Sequence, residues 1–530
     1  MYRLLFFTLA VAAGLGVAAT DWDAAGKQWW AHVQYLASDD LQGRDVGSPG
    51  FDKAANYVAG EFEKAGLKPG AGATYFQPVA FESVSVNPQH SSLALVRHGV
   101  NTPVAVPAEA MLGYSAHAAA TIEAPLVFAG YGLTIPEAHW SDLNGMHVRG
   151  TVVVYLTGGP ASVNGNLRSH YSSNAERWKA LRHAGAVGTI AIQNPKNMEI
   201  PWARTSLNWG RPVVTLADPA MDESAGRLFS ASWNPAKADD LLAGSGHSFA
   251  EIQKAADTNQ PLPHFEIPAS IQATVATSKR SIESKNVVAI RPGDDPQLKD
   301  EYVAISAHLD HLGVGKPVNG DAIFNGAMDD ASGDASLIEI AKALGRSHTP
   351  IRRSLLFLSV TGEEKGELGS RYFAENPTVH GRIVADLNMD MFLPLFPLKW
   401  LEVQGLDESS LGGDIRAVAA TAGVRVQADK EPNRNRFIRS DQYSFIKEGV
   451  PSLAFKFGYI PGGPEEKIFK NWYTNRYHSV TDDVNQPVDL AAAAQFNQIL
   501  KNLAVRVADA ANDPVWSSNS FFKRFASKEN

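Results

Sequence analysis

The 530-residue chain is 44% hydrophobic and 20% charged, with no Cys and a formal net charge of −8. These values exclude collagen, a coiled coil and an intrinsically disordered chain, and the mild acidity leaves no electrostatic footprint for nucleic acid or an anionic membrane. Without Cys there are no disulfides, no thiolate nucleophile and no Cys-ligated zinc, so any metal must be held by His, Asp and Glu.

In chain order, residues 1–19 come first. Arg3, an apolar run from Leu4 and the small residues Val17-Ala18-Ala19 have the layout of a cleavable secretory signal peptide. An exported protein, periplasmic or extracellular, is therefore expected. No later stretch approaches the roughly 20 apolar residues of a spanning helix, so no membrane is expected as a partner after cleavage.

Residues 20–119 are expected to start with helices, because Trp29, Val33, Leu36 and then Ala54, Val58, Phe62 recur at helical spacing. The polar, Gly-rich stretch 38–50 between them reads as a loop, and strand-like runs such as Leu93–Val96 follow. A second unit is expected over 120–275. It holds strand candidates at Ala124–Ala129, Thr151–Tyr155 and Thr189–Ile192 and a helix at Asn174–Ala184, and it lacks clustered ligands.

From about 286, within a unit expected over 276–512, the texture changes. Strand runs at Asn286–Ile290, Tyr302–Ser306, Ser354–Val360, Ile383–Asn388 and Ser452–Phe457 alternate with helical stretches. Those stretches are Ala335–Leu344, Glu367–Ala374, Gly413–Ala422, Ser440–Lys447 and Asp489–Ala508. Such alternation predicts an α/β fold, with a mixed, largely parallel sheet covered by helices on both faces. Residues 513–530 are left as a tail. Ligands of such sheets gather beyond the carboxyl ends of the strands, and five polar clusters stand there. They are Ala307-His308-Leu309-Asp310-His311, Asn325 to Gly333 (NGAMDDASG), Gly362-Glu363-Glu364, Asn388-Met389-Asp390 and Tyr477-His478-Ser479.

Each cluster has an ordinary reading alone: a surface His, a capped helix start, acids at a helix N-terminus. Together they put several carboxylates at one end of a sheet, which is repulsive unless cations sit among them. Nitrogen and oxygen donors without sulfur suit a hydrolytic pair of divalent ions.

These five motifs, in this order and spacing, resemble the co-catalytic di-zinc peptidases of the M28 type, whose members include aminopeptidases and glutamate carboxypeptidases. The resemblance covers 286–510 and extends to the leader stretch DLQGRDVGSPGFDKAANYVAGEFEKAGLKP. It implies the zinc exopeptidase fold for 276–512 and a β-rich protease-associated domain inserted at 120–275. It implies two divalent ions, with zinc first in expectation. Asp329 would bridge them, His308 and Asp390 would complete one site, and Glu364 and His478 the other. Glu363, beside a committed metal ligand, is expected to be the general base, and Tyr477 a donor to the developing oxyanion. Asp310 suits a carboxylate that fixes the His308 imidazole, whereas His311 is expected to point away. The Asp329-Asp330 bond is a candidate cis peptide.

Two departures stand out. Gln442 occupies a place where the family often has His. Asp482 and Asp483, after His478, read as a solvated loop pair. The expected function is that of an exported metallo-exopeptidase, most simply an aminopeptidase acting on short peptides. The alternative within the fold is a glutamate-carboxypeptidase-like enzyme using Arg434, Arg436 and Arg439. A one-zinc glutaminyl cyclase and an inactive receptor are opposed by the complete ligand set, and a Ser hydrolase by the lack of a G-x-S-x-G elbow.

Overall fold

The computed structural model describes residues 21–527 apart from 116, 117, 199, 348 and 435, so the expected leader at 1–19 lies outside the described residues. Two large sheets organise the chain. The first runs, edge to edge, Val213–Leu216, Phe76–Val86, Thr277–Arg291, Ser354–Val360, Glu301–His308, Arg382–Asn388, Ser452–Gly458, Trp400–Gln404 and Arg425–Ala428. Its four central strands are mutually parallel, and antiparallel neighbours flank them on both sides.

Near-continuous apolar runs make the central strands, because both faces are covered. Val303, Ile305 and Ala307 on one strand, with Leu355 and Phe357 on the next, point into the larger core. That core is completed by the helices Trp22–Leu36, Pro49–Lys64, Ser332–Gly345 and Leu490–Ala508. Tyr302, Ala304, Leu356 and Leu358 point the other way, onto Phe373 and Phe445 of two shorter helices. Register then aligns the functional ends: His308 lies beside Val360 and Ser306 beside Asn388. The residues following each strand emerge at one edge of the sheet.

The second sheet runs Val100–Pro103, Ser92–Arg97, His264–Thr274, Thr121–Ala129, Val152–Leu156, Gly188–Ile192, Phe229–Trp233 and Ala110–Leu112. The boundary expected at 119/120 therefore moves. Strands from 92 to 112 belong to the second module, because Leu93, Leu95, Ala110 and Leu112 are buried in its core. Val213–Leu216, from within 120–275, instead pairs with Phe76–Val86 of the first sheet. Alternating apolar residues predict a strand; which of two cores accepts it is a tertiary choice. The stretch after 512 also packs: Trp516 and Phe522 are buried against Phe437, Tyr443 and Ile446.

Candidate metal centre

His308 ends its strand with the imidazole turned into the cleft. Its Nε2 lies 3.2 Å from Asp329 Oδ1 and 3.8 Å from Asp390 Oδ1. The other Asp329 oxygen faces a second group, with His478 Nε2 at 3.3 Å. His478 Nε2 is also 3.2 Å from Glu364 Oε2. All five expected ligands are thus brought together, with Asp329 in the middle.

The structure adds a sixth residue. His311 Nδ1 is 2.6 Å from Glu364 Oε1 and 3.9 Å from Asp329 Oδ2. The expectation that it points away is corrected: side alternation holds only along a strand, and this one stops at His308. His308-Asp329-Asp390 and His311-Asp329-Glu364 each place their donor atoms within 4.8 Å of one another.

Asp310 also acts differently from expectation. The His308 Nδ1 contact, 3.0 Å, is to the backbone carbonyl of Asp310. Its carboxylate instead accepts from the Glu363 and Glu364 N–H groups at 3.1 and 3.3 Å, holding the Gly362-Glu363-Glu364 turn. Asp482 is fully buried, in contrast to the solvated loop expected for it. It accepts from the N–H groups of Met328 and Asp329 and from the Gln486 amide. Asp483 remains partly exposed. Gln442 takes a defined polar role, accepting from Asn388 Nδ2 at 2.7 Å and donating to the Phe437 carbonyl. The Asp329-Asp330 peptide is cis. Asp330 Oδ1 accepts from Gly333 and Met391 N–H, tying the Asp329 loop to the Asp390 loop.

The packing leaves no slack. A Cβ on Gly326, where φ is +60°, would lie 2.2 Å from the Asp329 carbonyl and 2.5 Å from the His311 ring, and one on Gly333 2.2 Å from Asp330 Oδ2. Arg44, from the loop 38–50, is buried here. It donates to the carbonyls of Leu309, Asn325 and Gly326 at 2.7–3.0 Å, and also to that of Leu36. Sequence reasoning placed this residue only in a loop; a lone Arg in a Gly-rich segment carries no signal that it clamps distant backbone.

The electrostatics match a cation site. Burial pushes the Glu363 carboxyl well above its usual range, though His308 opposes it. Burial raises Asp310 to about 6. His478 reaches about 10, because Glu364 and Asp329 outweigh the cost of burying its charge. His308 Nε2, both ring nitrogens of His311, Asp329 Oδ2, Glu364 Oε1 and Asp390 Oδ1 are buried and satisfied by no hydrogen bond among the described residues. Buried polar atoms normally have partners. Nitrogen and carboxylate donors converging in two groups about one shared carboxylate fit two divalent ions. Glu363, Glu364, Asp390, Tyr477 and His478 line one cavity of about 240 Å³, together with Lys456, Arg436, Arg439 and Glu367.

A mixed α/β sheet whose parallel strands end in such a donor set fits a hydrolase that works with divalent metal ions. The model of peptidase family M28 matches residues 286–504, the part of the chain that carries all five candidate ligands. Probable leucine aminopeptidase 2 of Aspergillus oryzae is 28% identical over 228 residues, covering 41% of this chain and 43% of that protein. Aminopeptidase Y of Saccharomyces cerevisiae is 28% identical over 211 residues, covering 38% and 35%. The chain thus spans less than half the length of these relatives. In fold, it resembles the aminopeptidase from Aneurinibacillus sp. strain AM-1, with a TM-score of 0.56 and 18% identity over 93% of this chain and 97% of that one.

Proposed function

We propose that the chain is an exported di-zinc exopeptidase, an aminopeptidase that removes N-terminal residues from short peptides. The observation that carries this reading is the Asp329 carboxylate, shared between the His308–Asp390 group and the His478–Glu364 group. His308, Asp329 and Asp390 would hold one ion, and Asp329, Glu364 and His478 the other, with His311 within reach of the second. When bound, such ions polarise the scissile carbonyl and lower the pKa of water towards neutrality.

The chain's own residues supply the rest. Glu363 takes a proton from the attacking water and returns it to the leaving amine, a role its position beside Glu364 in the wall of the same cavity supports. Asp310 holds that turn through two N–H groups. Tyr477, on the same cavity wall, donates to the developing oxyanion. The small cavity, below the roughly 300–1,000 Å³ of sites for drug-sized ligands, favours short substrates. The module built on the second sheet is read as a protease-associated insertion, and residues 1–19 as the export signal. No helix among the described residues is long and apolar enough to cross a membrane.

A glutamate-carboxypeptidase-like activity is the second reading, favoured by Arg436, Arg439 and Lys456 in the cavity wall. Assay of aminoacyl-nitroanilides against N-blocked peptides and peptides ending in Glu separates the two. Hydrolysis of aminoacyl substrates, with about two zinc ions per chain, is expected. Cleavage of N-blocked peptides with no action on free amino termini would overturn the aminopeptidase reading.

A further inference from the structure

Glu364 also lines a second cavity. It measures about 700 Å³, lies between the two modules, and includes Glu364 and Lys365 in its wall. Its other wall is one face of the parallel strands Val152–Leu156, Gly188–Ile192 and Phe229–Trp233, presenting Tyr155, Thr189, Ala191, Ser230 and Ser232. The alternate residues Val154, Ile190, Ile192 and Trp233 fill the module's core. The face turned to the cavity is small and polar, so space remains.

Three arginines enter this space. Arg177, from the helix Asn174–His183, is only 4% exposed, and its guanidinium lies 4.3 Å over the Tyr155 ring. Its Nε donates to the Tyr131 carbonyl, and neither Nη makes a hydrogen bond or ion pair among the described residues. The Arg227 side chain, partly buried, makes no hydrogen bond or ion pair among the described residues, although the Asp222 carboxylate acts on its charge, and it sits 6.0 Å from the Trp178 ring. Arg211 stacks 4.5 Å over Phe324 and donates to the Leu312 carbonyl. Burying a cation without an anion costs free energy, and the planar guanidinium matches a carboxylate through two parallel hydrogen bonds.

We propose that Arg177 and Arg227 form a subsite for the terminal carboxylate of a peptide whose amino end lies at the metal centre. The peptide would pass Glu364, which lines both cavities, and then Lys365, and its length would decide whether the carboxylate reaches the arginines. This rests on the peptidase reading above, and its test is separable from it.

The test measures binding without turnover, by calorimetry on the zinc-loaded Glu363→Gln protein. Leu-Gly peptides of two to five residues are titrated as free acids and as C-terminal amides, with inorganic phosphate as a third arm. At one length or more the acid should bind at least tenfold more tightly than its amide, and Arg177→Gln or Arg227→Gln should bring that ratio near one. Circular dichroism checks each fold, and if one variant does not fold the other carries the comparison. Equal affinity of acid and amide at every length overturns the subsite, as does a preference that survives both substitutions. Phosphate binding that depends on the arginines, without a preference for acid over amide, overturns the peptide assignment. A wild type that hydrolyses no peptide overturns the peptidase reading and leaves these binding ratios interpretable.

Discussion

Glu363 and Glu364 are neighbours in sequence with opposite electrostatic situations. Burial raises both, but for Glu364 the His478 and His311 imidazoles outweigh it and hold the carboxyl well below its usual range. Glu363, facing Asp390, Asp441 and Glu364, stays well above it. In the proposed mechanism Glu363 is therefore the proton acceptor and Glu364 a metal ligand. Glu363→Gln is expected to leave about two zinc ions per chain while kcat falls about 10²–10⁴-fold, the contribution of a positioned base. Metal analysis beside single-substrate kinetics checks both halves, and retained turnover removes Glu363 from the base role. Asp482→Asn reaches Asp329, the proposed bridging ligand, indirectly, because the Asp482 carboxylate holds the Met328 and Asp329 N–H groups. Charged acceptors of this kind are worth about 1.5–3 kcal/mol. A lower midpoint in urea and weaker zinc retention during dialysis are the expected readouts. Neither role of Asp310 nor the burial of Asp482 was legible in sequence. Both residues act on backbone groups far along the chain, and only the fold brings those groups to them.

At the scale of elements, the central strands were the most legible part. Ser354–Val360 ends where its apolar run ends, and four of the five motifs follow strand ends or start helices, while Tyr477-His478-Ser479 follows the helix Pro464–Asn475. The outer strands Trp400–Gln404 and Arg425–Ala428 were not legible, because Glu402, Gln404 and Gln427 are polar yet buried. The helix Pro464–Asn475 was missed because its polar start resembles a loop. The ligand loops themselves depend on Arg44, whose guanidinium ties Leu36, Leu309, Asn325 and Gly326 together. Arg44→Met leaves those buried carbonyls without their donor and should destabilise the protein by at least about 3 kcal/mol, with metal lost before global unfolding. Gly326→Ala attacks the same loops from the other side. Its left-handed backbone alone costs about 1–2 kcal/mol, and the added carbon meets the Asp329 carbonyl and the His311 ring. Thermal melts with and without zinc distinguish a displaced loop from a destabilised fold: a displaced loop shows little gain from added metal.

Across the whole molecule, the two modules are docked by side chains that each reach the other's backbone or rings. Arg371, on the helix Leu368–Glu375, donates to the Met221 carbonyl and pairs with Glu223 at 2.8 Å, anchoring the stretch that leads from Val213–Leu216 back to the second sheet. Arg204 donates to the Thr474 carbonyl at 2.6 Å. His170 shares a 2.5 Å hydrogen bond with Tyr443 and is ringed by Tyr171, Phe521 and Phe525, so the stretch after 512 closes the same contact. Burial lowers this imidazole to about 4, and the Arg524 charge acts in the same direction. Its folded-state value thus lies below the unfolded one near 6.5. The neutral ring stabilises the docked state fully above pH 6.5. Below that the unfolded chain binds the proton first, and stability is lost until about pH 4, where the loss totals about 3 kcal/mol at most. Melting temperature should therefore fall from pH 6.5 to 4 in the wild type, and the slope should flatten in His170→Gln, whose side chain does not titrate. An unchanged slope in that variant would assign the acid sensitivity to other groups. A fall that begins above pH 7 would contradict the direction of the shift.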